Sequence, residues 1–135
     1  MQLKHLSLTN FRNFVRLETE LASGPTLLIG ANAQGKTSFL EAIYYLAGSA
    51  SPHSSNDRQL INFLALEEDN PFCRLVGEVQ RGERLHRLEI RLILEDAGSS
   101  RLRTEVLING VKRRVSDLAR VFNAVMFLPQ DLQII

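Results

Sequence analysis

The sequence predicts an α/β fold, and three observations carry the prediction. A short apolar run, Pro25-Thr-Leu-Leu-Ile29, leads into the glycine-bearing stretch Gly30 to Ser38 (GANAQGKTS), and a helical pattern follows it. Residues 72–110 form β-rich runs parted by hairpin-type breaks. Of the 135 residues, 44% are hydrophobic and 23% charged, the balance of a globular protein with a real core.

Residues 2–9 alternate in polarity, with Leu3, Leu6 and Leu8 nearly in phase, and predict an opening strand. Asn10-Phe-Arg-Asn-Phe14 reads as a polar and aromatic turn. A second strand is expected over 15–21, where Val15, Leu17, Thr19 and Leu21 share one face and Arg16, Glu18 and Glu20 the other. Gly24-Pro25 then opens a third, buried strand over 25–29.

The stretch that follows has the form G-x-x-x-x-G-K-[ST], a loop that wraps phosphates. Gly30 and Gly35 let the backbone bring its N–H groups close to phosphate oxygens, where side chains would obstruct. Lys36 places an ammonium on the β- and γ-phosphates, and the Thr37 hydroxyl suits a bridging Mg²⁺. The pattern arises by chance in roughly 1 in 200 chains of this size, so its setting decides. Here it lies between a predicted strand and a helix. In that helix Leu40, Ile43, Tyr44 and Ala47 recur at helical spacing, and Gly48 ends it. The helix start falls at Lys36-Thr37, which aims its unpaired amides and its dipole at the phosphate site.

After a small-residue loop over 48–55, Asn56 or Asp57 caps a short helix with Leu60, Ile61 and Leu64 as its apolar stripe. An acidic turn covers 67–71. Strands are expected over 74–79, 85–94 and 102–108, with breaks at 80–83, 96–100 and Asn109-Gly110. The last of these fits a type I′ turn, so the strands form an antiparallel meander. Ser116 is read as the cap of a helix with Leu118, Ala119 and Phe122 on one face. A buried strand over 123–128 and a turn over 129–132 follow.

Net charge is +1 but uneven. Residues 1–73 carry five basic and seven acidic side chains, residues 74–114 ten and six, and residues 115–135 one and two. A solvated sheet face accounts for the arginine excess, and a DNA-backbone surface is the sharper alternative. His53 and His86 stand apart from other ligand-type residues, which argues against a metal cluster on protein ligands alone. Cys73, the only cysteine, sits in an apolar setting and is expected to be a buried thiol. No apolar run approaches the ~20 residues of a membrane helix. The N-terminus lacks a signal-peptide core, so no membrane association and a cytoplasmic location are expected.

Two strands and an N-F-R-N-F turn ahead of the loop, Gln34-Gly35-Lys36-Thr37 within it, and Ser38-Phe-Leu-Glu-Ala-Ile43 after it resemble the ABC-type ATPase heads of the SMC and RecF group. Within that group the sequence is most similar to the RecF family. The shared stretches are L-T-N-F-R-N at 8–13, G-A-N-A-Q-G-K-T at 30–37, L-E-A-I-Y at 40–44, D-R-Q-L-I at 57–61, I-N-G-V-K-R-R at 108–114 with S-D-L at 116–118, and F-L-P-Q-D-L at 127–132. Departures are Ala31, where the family usually has Glu, Gln130, where it typically has Glu, and His53-Ser54-Ser55 in place of an Arg-Thr pair.

The resemblance implies a P-loop NTPase of the ABC/SMC head type. This chain would supply the first lobe, with an antiparallel β meander in a mixed sheet. The P-loop core would cover about 1–64, the meander about 72–110, and a helix plus strand leading to a Q-loop 116–132. It implies that Gly30 opens the nucleotide-binding loop and that the backbone amides of Ala31, Asn32, Ala33, Gln34, Gly35, Lys36 and Thr37 cradle the β-phosphate of ATP, with Ser38 bonding the α-phosphate. Thr37 and Gln130 would serve Mg²⁺, Gln130 standing in the place of the Q-loop glutamine that contacts the attacking water. Arg12 and Asn13 resemble the N-terminal loop that approaches the nucleotide; the alternative for either is packing of the turn alone. Expected partners are double-stranded or gapped DNA, a second head in an ATP-dependent homodimer, RecR and RecO, and RecA indirectly, in recombinational repair and the SOS response.

No apolar run ending in Asp-Glu and no Ser-Gly-Gly or Ser-Arg-Gly signature occurs in the 135 residues. Phosphoryl transfer needs several parts at once, so weak or absent ATPase activity is expected of this chain alone. The competing reading is a head fragment of another SMC-like or defence-system ATPase.

Overall fold

The computed structural model describes residues 1–29, 35–48, 57–62, 64–67, 71–95 and 102–127. Six strands form one sheet, ordered β2-β1-β3-β4-β5-β6, and every described pairing is antiparallel. The strands are β1 (Gln2–Phe11), β2 (Phe14–Glu20), β3 (Phe72–Arg81), β4 (Arg84–Leu94), β5 (Leu102–Ile108) and β6 (Val111–Arg113). Helix α1 (Lys36–Gly48) lies across one face, joined there by the short α2 (Leu118–Val121). The mixed sheet expected of the sequence is therefore wholly antiparallel among the described residues.

The alternation of apolar and polar residues decides which face is covered. Leu6 and Leu8 of β1, Leu75 and Val79 of β3, and Leu88, Ile90 and Leu92 of β4 are fully buried and point to the helical side. Ala42, Tyr45 and Leu46 of α1 close the core from above, with Leu60, Leu118 and Phe122 at its margins. Cys73 is buried in this core, as its apolar neighbourhood predicts. The close approach of helix to sheet depends on Gly77, where a Cβ would stand 2.9 Å from Leu46 Cδ1.

The hairpin turns follow their sequence chemistry. Asn109 and Gly110 have φ of 53° and 81°, the left-handed pair of a type I′ turn. Asn109 also ties back to β4: its backbone N–H donates to the Arg87 carbonyl, and its Oδ1 accepts from the Arg87 N–H.

Five expectations are corrected. Residues 25–29 form no strand, and Leu27 and Ile29 are 81% and 87% exposed. Residues 123–127 likewise lack a strand, with Val125 and Phe127 exposed; Leu128 lies outside the described residues. Both runs have strand composition, but no described strand pairs with either. The sheet-facing side of α1 is Ala42, Tyr45 and Leu46, whereas Leu40 is exposed and Ile43, Tyr44 and Ala47 are half-buried. The helix is apolar on two flanks, and periodicity alone does not say which one meets the sheet.

The helix expected from Asn56 or Asp57 to Leu64 is instead two 3₁₀ turns, Asp57–Leu60 and Ala65–Glu67, with Ile61 bridged to Phe11 between them and Leu64 exposed. Asn62 breaks the helix by spending its side chain on backbone groups: Oδ1 accepts from the Leu64 N–H at 2.9 Å and Nδ2 donates to the Arg12 carbonyl at 2.6 Å. Ser116 caps nothing. The Asp117 carboxylate accepts from the Arg114 N–H at 3.0 Å, and Ala119 faces solvent while Leu118 and Phe122 are buried.

Candidate nucleotide-binding site

The described part of the loop is its last turn, Gly35 to Ser38; Gly30, Ala31, Asn32, Ala33 and Gln34 lie outside the described residues, as does Gln130. Gly35 has φ +92°, a conformation only glycine adopts without strain. A second constraint acts on the same residue: a Cβ there would stand 2.8 Å from Phe14 Cζ. The turn of the β1–β2 hairpin thus abuts the loop at the point where it becomes helix.

Helix α1 starts immediately after Gly35, whose carbonyl accepts from the Phe39 N–H at 2.8 Å. The amides of the first turn have no partners within the helix and point along its axis toward the loop. No acidic residue occupies that turn, so no carboxylate competes with an anion for the positive end of the helix dipole. Lys36 is half-buried, Thr37 exposed and Ser38 half-buried. An ammonium, two hydroxyls and a fan of amides form a donor set that suits a polyphosphate with a hard cation.

Arg12 has a partner within the fold. Its Nε and Nη2 donate to Glu41 Oε1 and Oε2 at 2.9 and 3.2 Å, a bidentate pair between the hairpin turn and the second turn of α1. The Glu41 side chain is 2% exposed and that of Arg12 23%. Arg12 has φ +51° and Asn10 φ +53°, and the turn is pinned from outside. The Arg12 N–H donates to the Leu60 carbonyl and the Asn62 N–H to the Asn10 carbonyl, both at 2.7 Å. Two left-handed non-glycine residues persist because the neighbouring 60–62 segment over-determines them. Asn13 is exposed beside them in the turn.

The structure therefore brings Arg12, Gly35 and the first turn of α1 into one framework, to which Phe14, Glu41 and Asn62 also belong. Sequence reasoning missed those three. Glu41 carried a usable signal, an acid inside the apolar run Phe39-Leu-Glu-Ala-Ile-Tyr-Tyr-Leu46. Burial there demands a cation, and Arg12 is one of few nearby.

On the opposite face of the sheet, Glu89 is buried at 2% exposure among three arginines. Arg74 Nη2 and Arg87 Nη1 reach its Oε1 at 2.9 and 3.0 Å, and Arg91 Nε bonds Oε2. Burial alone would push the Glu89 carboxyl up, but the hydrogen bonds from Arg74 and Arg91 outweigh it and hold the carboxyl below its ordinary value. The bond to Glu89 in turn raises Arg74. Arg103 pairs with Glu105 and Glu95. Four of the meander's arginines are thus paired with acids within the sheet. Among the described residues no group of three or more His, Cys, Asp or Glu could hold a metal, and no helix is long and apolar enough to cross a membrane.

Comparison with known proteins fits this geometry. The model of the RecF/RecN/SMC N-terminal domain matches residues 2–132. The chain belongs to that family. Among relatives of the RecF/RecN/SMC domain, the DNA replication and repair protein RecF of Roseiflexus castenholzii is 41% identical over the whole chain, which covers 36% of the relative. RecF of Chloroflexus aurantiacus is 40% identical, again over the whole chain and 36% of its own length. The recombination mediator protein RecF solved with ATP superposes with a TM-score of 0.80 at 27% identity, over 98% of this chain and 34% of that one. The SMC head domain from Thermotoga maritima gives 0.69 at 20% identity, over 91% and 43%, and shares the fold. The resemblance to RecF and to the ABC/SMC head fold is borne out, and the chain spans about a third of the length of these RecF relatives.

Proposed function

We propose that this chain is the ATP-binding lobe of a RecF-like DNA repair and replication protein. The observation that carries the reading is the start of α1. A glycine at φ +92°, a lysine and two hydroxyl residues open a 13-residue helix free of N-terminal acid, within the motif GANAQGKTS. Lys36 and the loop amides from Gly30 onward would hold the phosphates, Ser38 adding a bond to the α-phosphate. Thr37 and Gln130 would serve a Mg²⁺ ion, which supplies charge neutralisation between β- and γ-oxygens. The bidentate grip of Arg12 on Glu41 holds the hairpin against α1 and so keeps Gly35 seated.

In the full-length protein, ATP would draw two heads into a homodimer on double-stranded or gapped DNA. With RecR and RecO it would support RecA loading in the cytoplasm, in recombinational repair and the SOS response. The exposed apolar runs 25–29 and 123–127 support a two-lobed head, because strands of that composition find partners in a sheet completed by the rest of such a protein. In this arrangement residues 1–64 form the P-loop core, 72–110 the meander and 116–132 the path to the Q-loop. ATP turnover is weak in full length, and the chain alone turns over little or none. Turnover by the chain that Lys36→Ala abolishes would contradict that.

Anisotropy of a fluorescent ATP analogue tests the reading. Saturable binding that needs Mg²⁺, competes with unlabelled ATP and is lost in Lys36→Ala supports it. Binding indifferent to Lys36 overturns it.

A further inference from the structure

Asn109-Gly110 is the only Asn-Gly pair in the sequence, and it forms the exposed tip of the β5–β6 hairpin. The Asn109 carboxamide is held at both ends by β4. Its Oδ1 accepts from the Arg87 N–H at 2.9 Å, and this bond fixes which end is oxygen. Nδ2 therefore faces His86, 3.2 Å from the Nδ1 of that half-buried ring. Next in the chain is Gly110. Its N–H takes part in no hydrogen bond among the described residues, because a two-residue turn returns only the amide of the residue after it. A Cβ on Gly110 would meet nothing within 4 Å, so its backbone stands open to solvent.

We propose that Asn109-Gly110 is a self-modifying site, at which His86 and the Arg87 N–H promote conversion of Asn109 to aspartate or isoaspartate. The Gly110 nitrogen gives its proton to solvent and attacks Asn109 Cγ. A C–N bond forms while the carbonyl π electrons move onto Oδ1, where the Arg87 N–H already stands to hold the oxyanion. In this tetrahedral intermediate Nδ2 is an amine with a free lone pair. Protonated His86 donates its Nδ1 proton there, the Cγ–Nδ2 bond breaks, and ammonia departs as Oδ1 becomes a carbonyl oxygen again. His86 regains a proton from solvent. One water molecule then opens the five-membered imide at either carbonyl. Water is the only co-reactant and ammonia the only by-product, and nothing is oxidised or reduced.

Both products add a negative charge at the tip. Isoaspartate also adds a carbon to the main chain, which the two-residue turn does not accommodate, so the pairing of Ile108 with Val111 is lost in that product. The change runs one way and accumulates with the age of the molecule. It is separate from the nucleotide site and does not depend on the reading of that site.

The test follows the full-length protein at neutral pH and physiological temperature. Peptide mass spectrometry reads the amide-to-acid mass gain at Asn109, and chromatography of the same peptide separates aspartate from isoaspartate. Wild type and His86→Ala are each compared folded and unfolded in urea, so every protein carries its own reference rate. Thermal unfolding confirms that the variant folds. The folded wild type is expected to react faster than its unfolded chain. His86→Ala should slow the folded protein on the order of 100-fold and leave the unfolded rate unchanged. A folded wild type slower than its unfolded chain would mean that the β4 contacts shield Asn109, and overturns the proposal whatever the variant does. A fast folded rate that survives His86→Ala overturns it as well, since the ring would then move no proton in the step.

Discussion

The ring of Phe14 fills the space that a side chain on Gly35 would need, 2.8 Å from an ideal Cβ. Gly35 is therefore fixed twice, by its φ of +92° and by this contact. The two causes separate by experiment. Gly35→Ala is expected to cost about 1–2 kcal/mol in backbone strain alone and to weaken nucleotide binding more than tenfold. Adding Phe14→Ala relieves the clash but not the strain, so nucleotide affinity measured by titration stays low. Full recovery in the double variant would show that the dihedral angle costs little here.

Gly77 makes the contrasting case. Its Cβ position is 2.9 Å from Leu46 Cδ1 and 3.3 Å from Leu3 Cδ1, with no unusual φ, so only space is at issue. Gly77→Ala should cost about 1–3 kcal/mol by urea denaturation, since it overpacks the seat of α1. Leu46→Ala in the same chain should return part of that loss, and a strictly additive double variant would argue against this contact.

The Arg12–Glu41 pair predicts an asymmetry. Arg12→Ala leaves a carboxylate at 2% exposure without its main cation and is expected to cost about 3 kcal/mol. Glu41→Gln leaves a guanidinium that already reaches solvent, and should cost about 1 kcal/mol. Chemical denaturation of both variants measures the difference; equal losses would mean that the pair is held less tightly than its geometry says.

Glu89 ties stability to pH. Its carboxyl is held below the ordinary 4.5, so its contribution is fully present above that value and is lost as pH falls through the lower folded-state value. Stability measured from pH 6 down to 3 should therefore fall in the acid limb, and Glu89→Gln should flatten that limb. The same variant is expected to cost about 2 kcal/mol at neutral pH, the worth of its charged hydrogen bonds. An acid limb unchanged in Glu89→Gln would assign it to other carboxylates.

The meander was readable because its strands obey two local rules. Alternation put Leu88, Ile90 and Leu92 on one face, and Asn109-Gly110 carried its own turn geometry. Strands β3 and β4 ran one or two residues past the expected ends where polar residues such as Arg81 and Arg84 still pair. What was not readable depends on partners distant in sequence. Residues 25–29 and 123–127 have strand composition, but pairing needs a second strand, which composition does not supply. The choice between the two flanks of α1 was settled by Gly77, a residue of another element. In the site, Gly35 and the helix start were legible from the motif, whereas the Arg12–Glu41 grip joins residues 29 positions apart and the carbonyls that pin Arg12 come from 60–62.

Nucleotide binding at the start of α1 is the claim on which the rest stands, and thermal unfolding of the chain with Mg-ATP tests it most directly. A ligand at a hundredfold excess over its Kd adds about 2.7 kcal/mol, which for a domain of this size raises Tm on the order of 10 °C. Wild type should show that rise and Lys36→Ala should not. A wild type without a shift, or an equal shift in both, would contradict the account.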